Sequence, residues 1–106
     1  MLKKYTLIFD EVILKQLNKL AKDKATKRII SKMLDKIEEM GSFAGKLLDS
    51  KLALFEVKAN HPPIRLYYKI VEATKEAYVF EYEMKTSQEK QQKTIEKIKQ
   101  KEKLKP

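Results

Sequence analysis

Residues 52–85, LALFEVKANHPPIRLYYKIVEATKEAYVFEYEMK, decide the fold. Three runs rich in β-branched and aromatic side chains, 52–59, 64–73 and 77–85, are separated by Asn60-His61-Pro62-Pro63 and by Thr74-Lys75-Glu76. Short polar or proline-bearing breaks between such runs predict a three-stranded antiparallel meander. Proline cannot donate to a strand ladder, so Pro62 and Pro63 confine the first connection to a turn and fix where its strands end.

Working outward, residues 4–9 (KYTLIF) read as a strand that runs into Asp10, a good helix N-cap. Ile13, Leu17, Leu20 and Ala21 then recur at spacings of three and four, which predicts an amphipathic helix over about 10–24. After a polar break at 23–26, Ile30, Met33, Leu34, Ile37 and Met40 repeat the pattern until Gly41, a helix stop. The two helices form a hairpin. Residues 42–50, with Gly45, Phe43, Leu47 and Leu48, read as a loop folded back onto the core. Downstream, Thr86-Ser87-Gln88-Glu89 fits a capping box and opens a lysine-rich helix toward Leu104, with Ile95 and Ile98 as its core-facing pair and an end expected to fray. The expected class is α+β, in the order β-α-α-β-β-β-α: a small, mostly antiparallel sheet covered on one face by the helical hairpin, plus a C-terminal helix. One domain spans 1–106, with a core over 1–86 and the helix over 87–106.

Composition narrows the chemistry. A chain of 106 residues, 42% of them hydrophobic, buries roughly 65% of its unfolded surface in one core. No apolar run approaches the roughly 20 residues of a membrane span, and acidic Asp10 and Glu11 interrupt the N-terminus before a signal peptide develops, so cytoplasm is the expected location. Zero cysteines and a single histidine leave no thiolate or histidine-rich metal site, so neither metal nor cofactor is expected. Two glycines leave no phosphate-cradling loop. The 24 basic residues against 15 acidic give a net charge of +9, which favours a polyanionic partner. All but two of the basic residues are lysines, so the arginines, Arg28 and Arg65, stand out. Residues 85–106 alone hold eight lysines and three glutamates.

Strand alternation then sorts the meander. Ala53, Phe55, Val57 and Ala59 fall on one face with Ile64, Leu66, Tyr68 and Ile70 and with Tyr78, Phe80, Tyr82 and Met84. The other face is expected to stay uncovered and to display Glu56, Lys58, Arg65, Tyr67, Lys69, Glu81, Glu83 and Lys85. That set reads either as a solvated face of weak ion pairs or as a phosphodiester site. The latter needs a base for a 2′-hydroxyl proton, cations for the phosphate and a ring for base stacking. Arg65 suits the phosphate best, because its planar fork bonds two oxygens at once. His61, in a turn before two prolines, reads as an exposed loop residue.

The order of elements, with Leu54-Phe55-Glu56-Val57-Lys58 followed by Ile64-Arg65-Leu66-Tyr67-Tyr68 and then Val79 to Thr86 (VFEYEMKT), resembles the RelE/ParE toxin superfamily over nearly the whole chain. Relatives of the RelE and HigB kind are ribonucleases that cut messenger RNA in the ribosomal A site and are silenced by an antitoxin. The resemblance implies a metal-independent endoribonuclease with Glu56 as base, Lys58 and Arg65 at the phosphate, and Lys85 near the leaving oxygen. Tyr67, Lys69, Lys90 and Lys93 are the expected RNA contacts. A cognate antitoxin, the ribosome and messenger RNA are the implied partners. Met84 stands where the HigB-like branch has a lysine, and Gln91 and Gln92 stand where RelE-like members carry a tyrosine. A ParE-like gyrase inhibitor and a non-catalytic RNA- or ribosome-binding module are therefore the alternatives.

Overall fold

The computed structural model describes residues 3–84 and 87–104. Its elements are β1 (Thr6–Phe9), α1 (Glu11–Lys19), α2 (Lys24–Met40), a 3-10 turn (Gly41–Ala44), β2 (Lys46–Asp49), β3 (Leu54–Asn60), β4 (Pro63–Val71), β5 (Glu76–Met84) and α3 (Gln88–Lys103). The α+β class and the element order hold, with one strand more than expected. The strands form one sheet in the order β1-β5-β4-β3-β2, antiparallel except where β1 pairs with β5.

Local chemistry sets the helix ends. Asp10 caps α1 by accepting from the Val12 amide at 3.0 Å, and Asp23 caps α2 by accepting from the Thr26 amide at 3.1 Å. Gly41 ends α2 at φ 54°, where an added Cβ would meet the Tyr5 ring at 2.3 Å. The α3 cap is Ser87, which accepts from the Lys90 amide at 3.2 Å; the expected cap, Thr86, lies outside the described residues.

Residues 46–49 form β2 rather than a loop, pairing Lys46 with Glu56 and Leu47 with Phe55. Gly45 permits this close return, because an added Cβ would stand 2.1 Å from the Glu56 carbonyl oxygen. The hairpin packs Ile13, Leu20, Ile30, Met33 and Ile37 onto Val57, Leu66, Tyr68, Ala77 and Val79. The Tyr68 ring stacks on Phe55, and its hydroxyl donates to the Gly41 carbonyl at 2.9 Å.

The second face is covered, contrary to the expectation of an open one. Helix α3 lies over it, and Ile95 and Ile98 pack with Leu54, Tyr67 and Phe80 in a second core. The face assignment of β5 changes with it. Tyr67 pairs with Glu81 and Tyr68 with Val79, so Phe80 is an extra, bulged residue. A bulge reverses strand alternation beyond it. Ala77, Val79 and Tyr82 therefore face the hairpin, while Tyr78 and Phe80 join the α3 side.

Two buried isoleucines give α3 about 3 to 6 kcal/mol of apolar burial before the cost of ordering it. Polar contacts along its length complete the attachment: Thr94 to Glu83 at 2.7 Å, Lys97 to Glu81 at 3.0 Å, Lys99 to Asp49 at 3.3 Å and Lys101 to Asp10 at 3.0 Å. Ile98→Ala is expected to weaken this attachment by about 2 to 4 kcal/mol. Hydrogen exchange should then accelerate across 88–103 and leave 24–40 protected; equal acceleration in both would show that α3 is not a separate unit.

Candidate functional site

The pairing registers bring charged residues into two cross-strand rows beneath the first half of α3. One row runs Lys46, Glu56, Tyr67, Glu81 across β2, β3, β4 and β5; the next runs Lys58, Arg65, Glu83. Directly opposed residues have Cβ atoms roughly 5 Å apart, and diagonal neighbours are within reach of long side chains. Arg65 uses the diagonal: its Nη1 donates to Glu56 Oε1 at 3.1 Å and Oε2 at 3.0 Å. Gln91, from the first turn of α3, donates to Glu56 Oε2 at 2.9 Å.

Glu56 is 2% exposed, and these three bonds explain how a carboxylate can lie there. A buried ion without donors is strongly destabilising, whereas one met by a guanidinium and an amide is tolerated. A carboxylate offers about four lone-pair directions, so among the described residues one on Oε1 has no donor. Arg65 commits a single nitrogen to Glu56. Its Nε and Nη2 make no hydrogen bond among the described residues, which leaves a two-donor edge suited to an anion.

These groups line a cleft of about 390 Å³ walled by Lys46, Lys58, Gln88 and Gln92, with Leu48 and Ile95 beneath. Lys46 and Lys58 are exposed and form no ion pair among the described residues. Three cations therefore surround one carboxylate that is already paired, and the α3 N-terminus adds partial positive charge. The arrangement suits an anion, beside a carboxylate oxygen.

The structure thus gathers Glu56, Lys58 and Arg65 in the cleft, whose lining does not include Tyr67, Lys69, Lys90 or Lys93. Tyr67 is fully buried and has no ring face open to a base. Burial first, then its bond to Glu83 at 2.5 Å, pushes its hydroxyl pKa well above the ordinary tyrosine value, so it keeps its proton. Lys69 pairs with Glu102 at 3.6 Å under the last turn of α3. Lys90 and Lys93 lie on the exposed side of α3, and Lys93 sits 4.0 Å from Glu89. Lys85 lies outside the described residues. His61 is exposed, as expected. Glu81 and Glu83, read as open to solvent, instead hold Lys97, Tyr67 and Thr94.

Lys46 and Gln88 escaped the sequence reading, and Gln91 and Gln92 entered it only as departures from the RelE-like tyrosine. A signal for the glutamines existed: Gln88, Gln91, Gln92 and Ile95 follow the same three-and-four spacing as a buried helix stripe. Among the described residues no His, Cys, Asp or Glu cluster is arranged to hold a metal, and no helix is long and apolar enough to cross a membrane.

Arg65→Ala leaves Glu56 buried with Gln91 as its one donor. It is expected to lower stability by about 3 kcal/mol at neutral pH, with more than half recovered in the Glu56→Gln background. Denaturant unfolding of the two single variants and the double variant measures this; additive losses would show that the two residues do not depend on each other.

No family model matches the sequence, and no curated protein does. Solved structures do match. The isolated E. coli RelE toxin aligns with a TM-score of 0.65 at 23% identity, over 89% of this chain and 98% of that one. RelE in the intact E. coli RelBE toxin-antitoxin complex gives 0.64 at 24% identity, over 78% and 99%. The Mycobacterium tuberculosis RelBE2 toxin-antitoxin complex gives 0.59 at 18% identity, over 82% and 98%. The sheet order, the helical hairpin and the helix across the second face therefore make up a RelE-type fold, and this chain has it.

Proposed function

We propose that this chain is the toxin of a toxin-antitoxin pair and acts as a ribosome-dependent endoribonuclease on messenger RNA. One observation carries the reading: on a RelE-type fold, Glu56, Arg65, Lys58 and Lys46 converge on one cleft. In the proposed reaction the open lone pair of Glu56 takes the 2′-hydroxyl proton. The 2′-oxygen attacks phosphorus, the bond to the 5′-oxygen breaks, and the products are a 2′,3′-cyclic phosphate and a 5′-hydroxyl end. The free edge of Arg65 and the ammonium groups of Lys46 and Lys58 stabilise the charge that builds on phosphorus's oxygens. A lysine or solvent protonates the leaving oxygen.

The antitoxin partner is extended to this chain from its neighbours, since RelE is held with RelB in the structures it resembles. A segment that took the place of α3 would remove Gln91 and open the second core. That makes an amphipathic helix the fitting occupant.

One observation favours a non-cleaving reading, either gyrase inhibition or RNA binding alone: Glu56 is enclosed, and three of its four acceptor directions are filled. Ribosomes programmed with a defined message, run beside a gyrase supercoiling assay, separate the readings. Cleavage at the A-site codon with a cyclic phosphate end is expected. Glu56→Gln should slow it at least 100-fold, and Lys58→Ala, which alters an exposed side chain, should slow it about tenfold in protein of unchanged stability. An intact message together with blocked supercoiling would overturn the reading.

A further inference from the structure

Arg28, the one other arginine in the chain, has no place in the cleft. It stands on the exposed side of α2 in a row with Lys24, Lys32 and Lys36, each four residues from the next, and all four are exposed. At 1.5 Å per residue the charges follow one another every 6 Å or so along one helix face, comparable with successive phosphates along a strand. The opposite face of α2 is the buried one, Thr26, Ile30, Met33 and Ile37. The row therefore points away from the hairpin core.

Three successive like-charged pairs at this spacing oppose helix formation. Among the described residues none of the four forms an ion pair that would relieve them. The contrast with α3 is direct, because Lys93, Lys97, Lys99 and Lys101 are engaged with Glu89, Glu81, Asp49 and Asp10. Lys97, Lys99 and Lys101 hold α3 to the rest of the protein, whereas the lysines of α2 face outward with no ion pair among the described residues. Exposed Lys27 lies beside the row and adds to its first turns, while Asp35 and Glu39 weaken its last.

We propose that the Lys24-Arg28-Lys32-Lys36 face of α2 docks the phosphate backbone of double-stranded RNA. The exposed positions of that helix carry no aromatic ring on which an unpaired base could stack, so a base-paired stem suits the row better than a single strand. Arg28 supplies a two-oxygen grip, and the lysines supply point charges. Binding is independent of base sequence and falls steeply with salt. The choice of RNA rests on the ribonuclease reading of the cleft; the affinity of the row for phosphate does not.

The test is binding of a labelled RNA hairpin with a stem of about 16 base pairs, and of the matching DNA hairpin, across a salt series. Lys58→Ala protein serves as the parent, so that contacts in the cleft are reduced. Neutralising Lys24, Arg28 and Lys32 together as glutamine should weaken RNA binding at least tenfold and make the salt slope shallower by about two to three. Lys90→Gln with Lys93→Gln should change little. Arg28→Glu separates folding from binding: it should raise the melting temperature, by placing a carboxylate one turn from both Lys24 and Lys32, yet weaken RNA binding, a loss that a merely solvated row would not give. Unchanged RNA affinity in the triple variant would overturn the proposal, and so would tighter binding to DNA than to RNA. Failure of the ribonuclease reading shows separately, as absence of cut message in protein that still binds the hairpin.

Discussion

A carboxylate held almost completely out of water is the constraint on which the rest of this structure turns. Glu56 sits at 2% exposure in the middle of the sheet, and its place depends on Arg65 from the neighbouring strand and Gln91 from α3. The same three contacts therefore fix the start of α3, aim the guanidinium and leave its outer edge open to the cleft. Remove either donor and a buried charge loses its compensation, so the cleft and the second core are one arrangement.

Much of the fold was legible in the sequence because its signals are local. Asp10 before a three-and-four pattern, Gly41 after one, and prolines between two β-rich runs all act within a few residues. The features that escaped depend on tertiary contact. Lys46-Leu47-Leu48-Asp49 has no β-branched residue and becomes a strand through pairing with β3, which Gly45 lets approach. The bulge at Phe80 leaves no mark in the pattern Tyr-Val-Phe-Glu-Tyr, yet it turns both Phe80 and Glu81 toward α3. The sheet's second face read as open because its residues are charged. It is covered because its buried carboxylates have cationic partners, Arg65 for Glu56, Lys97 for Glu81 and Lys69 for Glu102, a fact about partners that a single strand cannot display.

The candidate site was legible in proportion. Glu56, Lys58 and Arg65 share a face by simple alternation and meet in the cleft. Tyr67 shares that face too, but α3 covers it, and Lys69 lies where the last turn of α3 reaches it. Lysine content alone pointed to α3 as the nucleic-acid surface. Pairing divides those lysines: Lys97, Lys99 and Lys101 are engaged with Glu81, Asp49 and Asp10 and offer less to an outside phosphate, whereas Lys90 and Lys93 stay exposed, as does the less conspicuous row on α2.

The central claim, that the free edge of Arg65 and its two lysine neighbours grip a phosphodiester beside Glu56, is tested most directly by nuclear magnetic resonance. The probe is a dinucleotide whose 2′-hydroxyl is replaced by hydrogen, so that it binds without being cut. Saturable shifts are expected at the Arg65 Nε–H and at the amides of Lys46, Glu56, Lys58 and Gln91. An Arg65 signal that stays fixed while shifts gather elsewhere, or nowhere, would contradict the account.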